Sequence, residues 1–98
     1  MTITTNQENG KLSIALEGRL DTNTAPQLEA QLKQSINGIS ELEFDFSKLD
    51  YISSAGLRVL LAAQKIMNKQ GKMLIRHIND TIMEVFEITG FVDILTIV

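Results

Sequence analysis

Cysteine and tryptophan are absent from this 98-residue chain, and proline, histidine and tyrosine occur once each. Without cysteine there is no disulfide, no thiol nucleophile and no thiolate metal site, a composition that fits a reducing compartment. With one proline and six glycines, no linker or low-complexity tract divides the chain, and one domain over residues 1–98 is expected. Nine Lys and Arg stand against twelve Asp and Glu, for a net charge of −3. The basic footprint of a nucleic-acid binder is therefore missing. The longest unbroken apolar run, Val59–Ala63, is far too short to cross a bilayer, so no direct membrane insertion is expected. The opening Met-Thr-Ile-Thr-Thr has neither the basic region nor the apolar core of a secretory leader, which makes the cytoplasm the default location. What remains is 44% hydrophobic and 21% charged, the balance of an ordinary folded domain.

The apolar residues are periodic. Leu12, Ile14 and Leu16 alternate with polar neighbours as in a half-buried strand, and Asn9-Gly10 before them is a two-residue hairpin signal. Thr2–Glu8 is then the antiparallel partner. Thr24 and Gln27 have capping-box spacing around Pro26, and Leu28, Leu32 and Ile36 share one helical face up to Gly38. Leu42, Phe44 and Phe46 alternate as a second core strand. A helix follows Ser53-Ser54, apolar almost all round in its first half and so packed against a sheet, with Gly71 as its left-handed end. Met73–Ile78 reads as a strand. Thr81–Glu84 reads as a capping box opening a helix that stops near Gly90, and Ile94–Val98 as a last strand. The order β-β-α-β-α-β-α-β predicts an α/β fold: a mostly parallel sheet of about five strands, an N-terminal antiparallel hairpin and three main helices.

Reactive groups are scarce. His77, the lone histidine, falls in a strand pattern with no second ligand near it in sequence. A hydrolase pairing of Ser54 with His77 lacks the Gly-x-Ser-x-Gly elbow, since the segment reads Ser53-Ser54-Ala55-Gly56. Asp21, Asp45 and Asp50 are candidates for a cation cluster, but Asp45 alternates with core phenylalanines as a solvated strand face does. Phosphate-loop and dinucleotide fingerprints are missing. No catalytic residue, metal site or cofactor is expected.

The segment Asp50–Leu61 resists explanation by packing alone. An apolar approach ends in two serines, then two very small residues, then a strongly apolar run. Serine caps orphan N–H groups, Ala and Gly leave the backbone uncovered, and a helix N-terminus favours negative charge. The segment reads either as a well-capped buried helix or as a phosphoserine switch. Asp21-Thr22-Asn23, joining the second strand to the first helix, is either a plain turn or part of a surface at the sheet's end.

Taken together, Gly18-x-Leu20-Asp21 and Tyr51-Ile52-Ser53-Ser54-Ala55-Gly56-Leu57-Arg58-Val59-Leu60 resemble the STAS domain family, within it the stand-alone bacterial anti-sigma factor antagonists. The resemblance covers nearly the whole chain. It implies partner switching in transcription control: an anti-sigma factor that is also a serine kinase phosphorylates a serine at this helix start, and a PP2C-type phosphatase reverses it. The best-known members read Asp-Ser-Ser/Thr-Gly-Leu here. Matching Gly56-Leu57 to that Gly-Leu places the acceptor on Ser54, with Ser53 as the alternative. Ser53 then stands where those members carry aspartate, and Arg58 where they carry a small residue. The implied partner surface comprises Asp21, Thr22, Asn23, Ile52, Ser53, Ser54, Ala55, Gly56 and Arg58. The other job open to such a fold is that of an interaction module in a signalling or lipid-transport complex without phospho-switching.

Overall fold

The computed structural model describes residues 1–98. Strand β1 (Thr2–Glu8) turns at Asn9-Gly10, both at positive φ, into β2 (Lys11–Leu20), and the two pair antiparallel with Glu8 opposite Lys11. A type I′ turn needs positive φ at both central positions, which Asn-Gly adopts at low cost. Helix α1 (Ala25–Ser35), β3 (Glu41–Ile52), α2 (Ser54–Gln70), β4 (Lys72–Arg76), α3 (Asp80–Thr89) and β5 (Thr96–Ile97) follow. The five strands lie side by side in chain order, all parallel beyond the initial hairpin. This is the predicted architecture.

One face of the sheet carries the core. Leu12, Ile14 and Leu16 of β2, Leu42, Phe44 and Phe46 of β3, and Met73 and Ile75 of β4 join Leu28, Leu32, Leu57, Leu60, Met67, Ile82 and Phe86 of the helices in a single buried cluster. At about 25 cal/mol per Å² of apolar surface removed from water, this burial is the main favourable term in folding. The opposite face is polar. There Glu41 lies 3.3 Å from Lys11 and 3.4 Å from Lys72, while Glu43 meets Lys11 at 2.9 Å and also pairs with Arg76. Acidic β3 thus sits between basic positions on both neighbours, which favours the register modestly.

Strand β3 is longer than the alternation Leu42–Phe46 indicates. Its pairing with β2 shifts between Ala15 and Glu17, opposite Asp45 and Lys48, and again between Gly18 and Arg19, opposite Leu49 and Tyr51. Each shift gives β3 one extra residue, so its buried positions pass from every second residue to Leu49 and Ile52. Bulges bend a strand and re-aim its end. Here they carry Ile52 beside Leu20, where the Ser53 N–H donates to the Leu20 carbonyl at 2.9 Å. The stretch Gly18–Leu20 is strand, and the turn begins only at Asp21.

Helix boundaries bring three corrections. The Thr24/Gln27 box is not made: Thr24 is at the N-cap position, but its hydroxyl donates back to the Arg19 carbonyl at 2.7 Å. The N-cap of α3 falls two residues before Thr81, at Asn79, and the helix starts at Asp80. The Asn79 Oδ1 accepts from the Ile82 N–H and its Nδ2 donates to the Leu49 carbonyl, both at 2.8 Å. Gly71 is extended rather than left-handed. Glycine is needed there because a Cβ would lie 1.8 Å from the Ser40 carbonyl oxygen.

Two strands are also shorter than expected. Chain direction changes at His77, which is left-handed at φ 61°, so β4 stops at Arg76. A 3-10 turn over Phe91–Asp93 ends on Ile94, and the chain bends through Leu95 before pairing, so the predicted strand Ile94–Val98 is reduced to Thr96–Ile97. No helix is long and apolar enough to cross a membrane.

Candidate functional site

The β2–α1 turn and the β3–α2 junction meet where β2 and β3 end together, Leu20 opposite Ile52. Asp21 organises the turn from within. Its Oδ1 accepts from the N–H groups of Asn23 at 3.0 Å and Thr24 at 3.1 Å, and from the Thr24 hydroxyl at 3.2 Å, while its own N–H donates to Thr24 Oγ1 at 2.8 Å. Burial pushes the Asp21 carboxyl up, but those N–H and hydroxyl donors and the Arg19 guanidinium outweigh it and hold the group below its ordinary value. The carboxylate is therefore a charged part of the turn.

Arg19 is a residue the motif reading passed over. Its Nε lies 3.6 Å from Asp21 Oδ2, and its guanidinium carbon sits 4.1 Å from the centroid of the Tyr51 ring, the residue opposite it on β3. The signal was available as Arg19-x-Asp21, a base and an acid two residues apart where β2 runs into its turn. Arg19 thus ties the turn to the strand that leads into Ser53.

Ser53 and Ser54 have opposite environments. Ser53 is the N-cap residue of α2 in extended conformation, and its carbonyl accepts the first helical bond from the Leu57 N–H at 3.0 Å. Its hydroxyl caps nothing: Oγ is covered and has no hydrogen-bond partner. Ser54, the first helical residue, is exposed. The expectation of serine capping is thus not met, and the amide end of α2 is left uncovered by its own N-cap side chain.

The small residues divide as well. Gly56 is buried, and a Cβ there would lie 2.7 Å from Leu20 Cγ and 2.9 Å from Ile52 Cγ1. The missing side chain makes room for the protein's own core and seats the first turn of α2 on the ends of β2 and β3. Ile52 is only 3% exposed and belongs to the same core. Ala55 is half-buried; Thr22, Asn23 and Arg58 are exposed. Thr22, Pro26 and Glu29 on one side and Ala55 and Arg58 on the other line a shallow cavity of about 270 Å³ between the starts of α1 and α2. The nine predicted residues therefore lie in one region, as a surface of Thr22, Asn23, Ser54, Ala55 and Arg58 supported by Asp21, Ile52, Ser53 and Gly56.

His77 is not part of it. It follows Arg76, which pairs with Asp45, whereas β3 runs on to Ile52 before Ser54 begins. No group of three or more acidic or histidine side chains is placed to hold a metal ion, and Asp21, Asp45 and Asp50 form no such cluster. The Asp45 carboxylate instead accepts from the Ser47 N–H at 2.9 Å, the main cause of its lowered pKa.

An exposed serine on an uncovered helix start and a braced turn thus lie together at one end of a two-layer α/β fold. The match to the STAS domain model spans residues 2–98, and the chain belongs to the STAS family. It is 38% identical over 99 aligned positions to BtrV of Bordetella bronchiseptica, named as an anti-sigma factor antagonist, with 99% of this chain and 85% of that relative covered. Identity to the anti-sigma-B factor antagonist of Listeria monocytogenes is 31% over 94 positions, 93% of this chain and 82% of that one. Among solved structures, the anti-sigma factor antagonist SpoIIAA in its unphosphorylated form superposes with a TM-score of 0.78 at 17% identity, covering 99% of this chain and 87% of SpoIIAA. The phosphorylated form of Bacillus SpoIIAA gives 0.77 at 18% identity, covering 99% and 91%. At these identities the likeness to SpoIIAA is one of fold.

Proposed function

We propose that this chain is an anti-sigma factor antagonist that works by partner switching, with Ser54 as the phosphate acceptor. Unphosphorylated, it binds an anti-sigma factor that is also a serine kinase and thereby releases sigma; phosphorylation ends the binding, and a PP2C-type phosphatase restores it. The observation that carries the reading is the contrast between the exposed Ser54 and the covered Oγ of Ser53, because a kinase needs access to the hydroxyl it modifies. Family membership and two relatives named as anti-sigma factor antagonists agree with the role.

The physical basis is local. A phosphoserine carries about −1.5 to −2 charge near neutral pH. At the first position of α2 it meets the positive end of the helix dipole, so the domain accommodates it with little rearrangement. A partner fitted over Thr22, Ser54 and Ala55 instead faces a new charge that must be desolvated beside the ionised Asp21. Incubation with the co-encoded kinase and ATP, followed by mass mapping, tests the assignment. Modification at Ser54 is expected; modification at Ser53, or none alongside confirmed binding, overturns it.

A further inference from the structure

Two arginines flank the proposed acceptor, and they are differently employed. Arg19 is committed, to the Asp21 carboxylate and the Tyr51 ring. Arg58 is exposed and makes no ion pair, side-chain hydrogen bond or ring contact in this structure. The acid sharing its cavity, Glu29, is paired along α1 with Lys33 at 3.6 Å. A guanidinium held at a cavity mouth without a counter-charge is available to one that arrives.

Arg58 also lies four residues after Ser54 on the same helix, both exposed. Residues at that spacing stack on one face with Cβ atoms about 5–6 Å apart, and an acid N-terminal to a base is the favourable order. Long side chains of helices lean toward the N-terminus, which turns Arg58 toward the first turn. A phosphate on Ser54 presents three acceptor oxygens to a planar donor fork suited to bidentate pairing.

We propose that Arg58 is the charge through which the switch acts: unpaired, it meets an acidic group of the partner protein, and phosphorylation of Ser54 captures it within the domain. This rests on Ser54 being the acceptor. Phosphorylation then has two effects on the surface, adding a negative charge and withdrawing a positive one, so the partner's acidic group loses its counter-ion and faces repulsion together.

The capture is measured without a partner. Phosphoserine is incorporated at position 54 during translation, and its second ionisation is followed by phosphorus NMR in the wild type and in Arg58→Ala, Arg58→Lys and Arg19→Ala backgrounds. The pair lowers that pKa by about 0.3 unit relative to Arg58→Ala, the shift equivalent to an exposed i,i+4 ion pair. Arg58→Lys keeps part of it, Arg19→Ala keeps it, and high salt reduces it. An unchanged pKa in Arg58→Ala, or a shift lost in Arg19→Ala instead, overturns the proposal.

The partner-facing half is read from affinities. Arg58→Ala weakens binding of the unphosphorylated domain to its anti-sigma factor and shrinks the further loss caused by phosphoserine. Equal losses from phosphoserine in both backgrounds remove Arg58 from the switch while leaving the switch itself; no loss in either removes the switch.

Discussion

The guanidinium of Arg19 lies 4.1 Å from the ring centroid of Tyr51, its neighbour across β2 and β3, and the same side chain reaches Asp21 at 3.6 Å. One residue thereby couples the β2–α1 turn to the strand that delivers Ser53 and Ser54. Cation–π contacts at exposed sites contribute about 0.5–1 kcal/mol. Arg19→Ala is expected to cost about that much in urea denaturation, and to speed amide exchange at Asn23 and Thr24. Arg19→Lys keeps the charge but not the planar fork, and should recover only part of the loss.

Gly56 gives a sharper stability prediction. On helix propensity alone Gly→Ala at this position gains up to about 1 kcal/mol. The added Cβ would meet Leu20 Cγ at 2.7 Å and Ile52 Cγ1 at 2.9 Å, and overpacking of a core costs about 1–3 kcal/mol. The steric term wins, so Gly56→Ala is expected to lower the midpoint of chemical unfolding. A stabilised variant would show that the end of β3 yields.

The N-caps of α2 and α3 should respond in opposite ways to alanine. Asn79 makes both the cap bond to Ile82 and the link to Leu49, so Asn79→Ala should cost about 1–2 kcal/mol. Ser53 makes no cap bond and its covered hydroxyl has no partner. Ser53→Ala should be neutral or stabilising by up to about 1 kcal/mol, because an unsatisfied buried polar atom is removed. Thermal unfolding of both variants decides it; a Ser53→Ala loss as large as that of Asn79→Ala would contradict the environment described for Ser53.

Acid sensitivity follows from Asp21. Its folded pKa is lowered despite burial, through the donors in its turn. Lowered in the folded state, the group contributes stability that is present above the ordinary carboxylate pKa, about 3.9, and lost as pH falls through the folded value. Glu41, held low by Lys11 and Lys72 against the cost of burial, and Asp45, held low mainly by the Ser47 N–H, act in the same direction. Unfolding free energy should therefore decline below about pH 4, and less steeply in Asp21→Asn. Equal slopes for wild type and Asp21→Asn would remove Asp21 from this role.

How much of this was legible depended on regularity. The hairpin at Asn9-Gly10 and the alternation Leu42-Phe44-Phe46 were readable because both follow simple rules of turn chemistry and period. Ser47–Ile52 was not, because two bulges break the alternation, and bulges depend on how β3 fits β2. Thr24 and Thr81 carried cap-like spacing, yet Thr24 answers to Arg19 and Asp21, while Asn79 displaces Thr81 by holding Leu49 as well. In the candidate site the motif placed nine residues together, and the fold does so too. It could not separate Ser53 from Ser54 by exposure, nor reveal that Gly56 is bare on behalf of Leu20 and Ile52, since both facts arise only when α2 seats on the strand ends.

In the proposed switch, charge at Ser54 governs partner binding. The direct measurement is the affinity of the cognate anti-sigma factor for the unmodified domain, Ser54→Ala, and the domain carrying phosphoserine at position 54. The first two are expected to bind alike and the third at least about tenfold more weakly, a difference of about 1.4 kcal/mol. Equal affinity of all three would contradict it.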